Sequence, residues 1–171
     1  MNKFVFVDCE TTGLDPVKDS IISIAVIVDD KEYYWKIQFN TPMSDGAKQV
    51  NGYTPEAWKD AVTFESIAQQ LNTLWNGRII VGHCIAKFDI PFIEQAFKRI
   101  KLKCGMGWHY VDTLCLAIEH MEESQSRALI RVAAALGQDV TRGAQCFGRC
   151  ASQQDCVRET VQNETLMGVI V

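Results

Sequence analysis

The chain has 171 residues, 47% apolar and 22% charged, with a net charge of −4, which suits one domain around one core. No apolar run is long enough to span a bilayer, and Met1–Asp8 lacks the regions of a secretory leader, so a cytoplasmic location with no membrane partner is expected. The acidic balance excludes a protein that grips nucleic acid by net charge alone, but not one that carries its positive charge as bound cations.

Lys3–Asp8 is nearly all apolar and reads as a buried strand. Ser20–Val28 is β-branched and apolar, a second strand. After the Asp29-Asp30 turn, Lys31–Phe39 alternates and completes a hairpin. Residues 40–60 hold Pro42, Gly46, Gly52 and Pro55 and read as loop with a short helix. Thr63 is placed to cap a helix over Phe64–Trp75, with Ile67, Leu71 and Leu74 on one face and Asn76-Gly77 as its stop. Arg78–Gly82 is a short strand, and Asp89–Ile100 a helix with Pro91 in its first turn. His109–Val111 is a strand, followed by helices near Leu114–His120 and Ala128–Leu136, the last stopped by Gly137. The expected class is α/β on one mixed sheet, in a single domain over residues 1–171.

The seven cysteines are an odd number with no Cys-x-x-Cys pair, so free thiols are expected. Cys146, Cys150 and Cys156 with His109 or His120 fit no usual zinc spacing.

Asp8 closes the first strand and Glu10 follows two residues later, so extended chain puts both carboxylates on one face. Two like charges there repel unless a cation lies between them. A pair of divalent ions roughly 4 Å apart is the usual device for cutting phosphodiesters, and hard oxygen ligands suit magnesium or manganese. Thr11, Thr12 and Gly13 offer hydroxyls and a close backbone approach to a nucleotide. A solvated strand end followed by a turn is the other reading of the same residues. Asp89 likewise reads as a helix cap or as a third carboxylate reaching the first strand.

The run Phe-Val-Asp-Cys-Glu-Thr-Thr-Gly-Leu, residues 6–14, resembles the first signature of the DEDD 3′–5′ exonucleases, the family of the polymerase III proofreading subunit and ribonuclease T. Val81–Ile93, with Phe88-Asp89, resembles the second. It departs in having Cys84 where the family usually has asparagine, and one residue more between His83 and Asp89. Val50–Glu56 resembles the loop that seats the terminal base, and Val111–Ala117 a segment whose aspartate, Asp112, is usually structural. The likeness runs from Lys3 to about Ala144. It implies a ribonuclease H-like fold: a five-stranded mixed sheet flanked by helices. It also implies Asp8, Glu10 and Asp89 as catalytic carboxylates holding two Mg²⁺ or Mn²⁺ ions. Substrate contacts would come from Thr11, Thr12, Gly13, Leu14, His83 and Phe88. The implied partners are a single-stranded 3′ end of DNA or RNA and a DNA polymerase.

The family's final signature is a histidine, the general base, followed five residues later by a metal-binding aspartate. Gln145 and Cys150 stand at those places, and no histidine follows His120. Glutamine has no basic nitrogen, and a thiol is a poor magnesium ligand. Asp155 or Glu159 is the substitute carboxylate on offer. From about residue 143 the apolar periodicity fades, and three of the seven cysteines crowd between Cys146 and Cys156. Degenerate codons for residues 144–151, read one base later, permit His-Asn-Ala-Leu-x-Asp-Ala. The expectation is therefore an exonuclease with an atypical, frame-shifted tail and impaired turnover. The alternative is an inactive nucleic-acid binder on the same scaffold.

Overall fold

The computed structural model describes residues 3–29, 31–107 and 109–120. Five strands make one sheet: β1 (Phe4–Thr11), β2 (Ile21–Val28), β3 (Lys31–Lys36), β4 (Ile79–Gly82) and β5 (Tyr110–Asp112), in the order β3-β2-β1-β4-β5. β1 pairs antiparallel with β2, and β2 with β3; β1–β4 and β4–β5 are parallel. The mixed sheet is the one the sequence led us to expect. Helices α1 (Asp45–Val50), α2 (Phe64–Trp75) and α3 (Asp89–Arg99) lie in the same compact unit, which ends at Asp112; α4 (Thr113–His120) belongs to another. The helix expected at Ala128–Leu136, the stop at Gly137 and the tail from 143 lie outside the described residues, as does the rest of the span after His120 over which a single domain was expected.

All eight residues of β2 are buried, as its unbroken β-branched run requires of a strand covered on both faces. β1 alternates: Val5, Val7, Cys9 and Thr11 are buried, while Phe4, Phe6, Asp8 and Glu10 are more open. Its buried face joins one core with Ile24, Val26, Ile80, Leu71 and Trp75 of α2, and Phe92, Ile93 and Phe97 of α3. Phe97 meets Phe64 and Trp75 edge-on, at 5.2 and 5.9 Å between ring centres. Thr63 caps α2 by accepting from Ser66 N at 3.3 Å, and Gly77 leaves the helix at φ +70°. Trp58, Ile22 and Ala61 form a smaller cluster with Phe39, Met43 and Tyr53.

Two strand ends differ from expectation. β1 runs on to Thr11 because β2 keeps pairing with it, Cys9 opposite Ile24 and Glu10 opposite Ser23, up to an irregularity between Glu10 and Thr11. Both acidic residues are thereby inside the strand, not beyond it. β3 stops at Lys36, three residues early, although Ile37 still donates to Ile22 O at 2.7 Å and on its other side forms an isolated bridge with Val62. No helix among the described residues is long and apolar enough to cross a membrane.

Candidate active site

β1 and β4 pair only from Phe4–Ile79 to Phe6–Val81. Gly82 marks where they part: a Cβ there would lie 2.6 Å from Ile85 Cδ1 and 2.9 Å from Val7 O. Past that point, among the described residues, β1 has a backbone edge without a strand beside it. Asp89 fills it. Its Oδ1 accepts the Cys9 N–H at 2.8 Å, and Asp89 is only 2% exposed. Asp89 does not cap α3: the cap position is Phe88, which makes no side-chain cap bond. The carboxylate instead reaches the peptide unit between Asp8 and Glu10, which the helix-cap reading had no reason to require.

Asp8 and Glu10 share the more open face of β1, as their spacing dictates. Burial, then the charge of Asp8, pushes the Glu10 carboxyl up to about 8. Asp89 is likewise pushed up to about 8, first by burial and then by Asp8, against the opposing pull of the Cys9 N–H. Asp8 is itself raised by desolvation, although it is exposed on one side, where water tempers the effect. Burial and all three carboxylates lift the Cys9 thiol well above its ordinary value. Three carboxylates thus crowd one end of the central strand, and among the described residues no cationic side chain acts on them.

Among the described residues no group of three or more His, Cys, Asp or Glu is arranged to hold a metal ion as it stands. The donor chemistry nonetheless fits hard divalent cations: the oxygens are carboxylate, mutually repelling and partly desolvated. Gln145 and Cys150, the positions expected to complete the set, lie outside the described residues.

The turn after β1 is built differently from expectation. Thr11 Oγ1 donates to Gly13 O at 2.6 Å, and Thr12 Oγ1 accepts from Ser20 N at 3.0 Å and contacts Asp19 Oδ1 at 3.2 Å. Both threonines are buried, so their hydroxyls hold the loop shut and do not face outward. Gly13 is needed for Asp19: a Cβ would lie 2.4 Å from its Oδ2. Leu14, by contrast, is 85% exposed beside the carboxylates' strand. Phe88 packs on Phe92, with ring centres 5.0 Å apart, and His83 is half-buried just beyond β4.

Two supports were not legible in advance. Asn51, 1% exposed, accepts from Tyr53 N at 3.0 Å and donates to Thr11 O at 3.4 Å, tying the 50–56 loop to the end of β1. Arg99 donates to Pro16 O and Val17 O, at 3.1 and 2.9 Å, and pins the far side of the 12–20 loop to α3. Only the Asn-Gly turn at 51–52 hinted at the first. Asp112 has the structural part expected of it: its two oxygens accept from Cys84 N at 2.9 Å and Ala86 N at 3.2 Å, holding the turn that leads into Asp89.

An exonuclease family model, that of ribonuclease T, matches residues 5–142. The PolC-type DNA polymerase III of Thermotoga petrophila is 35% identical over 121 residues, 67% of this chain but 9% of that protein. RNA exonuclease 4 of Candida glabrata is 32% identical over 106 residues, 60% of this chain and 40% of that protein. The crystal structure of E. coli exonuclease I in complex with a dA16 oligonucleotide covers 96% of this chain at a TM-score of 0.75 and 17% identity, and is 40% covered in return; at that identity the likeness is one of fold, ribonuclease H-like. The family match takes in β1 with its two carboxylates, Asp89 and the whole sheet between them, and on that ground the chain belongs to the ribonuclease T family of exonucleases.

Proposed function

We propose that the chain is a metal-dependent 3′–5′ exonuclease module that takes single-stranded 3′ ends of DNA or RNA and releases nucleoside monophosphates. The observation that carries this is the Asp89 carboxylate on the Cys9 N–H, between Asp8 and Glu10. Asp8, Glu10 and Asp89 would hold two Mg²⁺ or Mn²⁺ ions. Ions held there would acidify a water and offset the charge that builds on the phosphate. The protein's own share is placement. The β1 backbone fixes Asp8 and Glu10, Asp89 is held by Cys9, and exposed Leu14 with Phe88 and His83 borders the path of the terminal nucleotide. Water attacks phosphorus, the P–O3′ bond breaks, and the shortened strand keeps its 3′-hydroxyl.

Turnover by this chain is impaired in this reading, because Gln145 and Cys150 replace the general base and the last carboxylate. The family match stops at residue 142, one residue before the composition changes, which supports a tail read out of frame. The same two residues favour the second reading, a binder that holds a 3′ end without cutting it. The PolC-type relative makes a DNA polymerase the protein partner to test, with a proofreading role in the cytoplasm.

The deciding assay incubates the full chain with a 3′-labelled single strand and Mn²⁺. Slow mononucleotide release, lost in Asp8→Ala, Glu10→Ala and Asp89→Ala, is expected. A second protein, translated one base later from residue 144, should cut faster by on the order of 10²–10⁴-fold. Equal release by Asp8→Ala and the unaltered chain would refute the assignment, and strand binding with no release by either tail would leave the binder.

A further inference from the structure

Three exposed lysines cluster where α3 ends: Lys98, Lys101 and Lys103, in a run of six residues that also holds Arg99 and has no acidic residue. Elsewhere in the described unit Lys18, Lys48, Lys59 and Arg78 are neutralised by Asp15, Asp45, Glu56 and Asp29, while Lys3, Lys31, Lys36 and Lys87 form no ion pair among the described residues but are scattered along the chain. None of the three clustered lysines pairs with an acidic group of the described residues. Glu94, one turn before Lys98, is the nearest acid in sequence and makes no ion pair with it.

The backbone gives a second, independent observation. α3 ends with Lys101 N donating to Lys98 O at 3.1 Å and Leu102 N to Phe97 O at 3.1 Å, with Lys101 at φ +57°. This is the helix ending in which glycine is the usual left-handed residue. A lysine there is strained, and nothing in the local packing calls for one. Charge has been placed where the fold prefers no side chain.

We infer that Lys98, Lys101 and Lys103 form a phosphate-binding track for the same strand whose 3′ end enters the carboxylate site. The inference rests on the nuclease reading. Position supports it: α3 starts at Asp89 and runs about 15 Å to Arg99, which fastens the loop that begins at Thr12. The carboxylate site engages only the terminal nucleotide, so the phosphates upstream of it gain a cationic contact of their own from the track. An anionic membrane is the weaker fit. Ile100 and Leu102, interleaved with the lysines, pack against the core and are not free to insert.

The test titrates labelled 15-nucleotide DNA and RNA strands, and a mononucleotide, against the full chain with Ca²⁺ over a range of salt. Lys98→Gln/Lys101→Gln/Lys103→Gln should flatten the log Kd–log salt slope for both strands by about 2, since each phosphate contact contributes about 0.7. Mononucleotide binding should not change. Lys101→Gly should raise Tm by a few degrees, about 2–4 °C, yet still lose about 0.7 of slope, which separates binding from folding. A control, Lys31→Gln/Lys48→Gln/Lys59→Gln, should leave the slope as it was. An unchanged slope in the first triple variant, or equal loss in the control, would overturn the track. So would weakened binding to phosphatidylserine vesicles with strand binding intact. If the unaltered chain binds neither strand nor mononucleotide, the nuclease reading itself falls and takes the track with it.

Discussion

At the scale of single residues, two backbone positions decide how Asp89 reaches β1. Cys84 lies at φ +60°, in the region that asparagine and glycine tolerate best. The family's usual asparagine at this place therefore has a conformational reason as well as any chemical one. Cys84→Asn, or Cys84→Gly, keeps the N–H that Asp112 accepts and relieves the strain. Either should stabilise the protein by about 0.5–1 kcal/mol, read as a higher urea midpoint at constant m-value. A lower midpoint would mean that the thiol does more than occupy the turn. Gly82 is the opposite case. An alanine Cβ would meet Val7 O at 2.9 Å, and a backbone carbonyl in the central strand has nowhere to go. Gly82→Ala should cost about 1–3 kcal/mol and, by forcing β4 from β1, should also lower nuclease activity. Retained activity at unchanged stability would show that the strands part more freely than the geometry says.

At the scale of elements, the turn from β4 into α3 is held from outside itself. Asp112, at the end of β5, accepts from both Cys84 N and Ala86 N. Asp112→Ala strips two acceptors from a largely enclosed turn, at about 1–3 kcal/mol. The loss should appear as faster hydrogen exchange at Cys84 and Ala86, with α2 amides unaffected; protection unchanged at those two amides would contradict the clamp. Such long-range ties explain what the sequence concealed. α2 was legible to the residue, because Thr63, the apolar face and Asn76-Gly77 are all local signals. The carboxylate pair was legible too, because extended chain has a fixed period. The fate of the Thr11 and Thr12 hydroxyls was not: their partners, Gly13 O, Ser20 N and Asp19, are set by a loop whose closure no local pattern announces. The bridge from Ile37 to Val62 was hidden for the same reason, since Val62 is far along the chain.

At the scale of the whole molecule, the crowded carboxylates link folding to pH and to divalent cations. Glu10 and Asp89 have ordinary values of 4.5 and 3.8 and are pushed up to about 8 in the folded protein. Below about pH 4 the folded and unfolded chains both hold these protons, and the site costs nothing. Between about 4 and 8 the unfolded chain has released them while the folded chain keeps them, so the folded state binds more protons and stability must fall as pH rises. Above about 8 both states are ionised and the full penalty remains. In chelator, then, Tm should decline from pH 5 to pH 8 by on the order of 5 °C. The charge-lowered Asp15 acts in the opposite sense, but it is solvent-exposed and screened, so it does not reverse the trend. Mn²⁺ binds the ionised site and should restore most of the loss at pH 8 while changing little at pH 5. Asp89→Asn removes one of the repelling charges and keeps an acceptor for the Cys9 N–H. It should melt higher than the unaltered chain at pH 8 in chelator, yet respond less to Mn²⁺ and release no nucleotide. A variant more stable and less active at once is what an unneutralised ligand set produces, whereas a carboxylate kept only to brace β1 would lose stability on the same substitution.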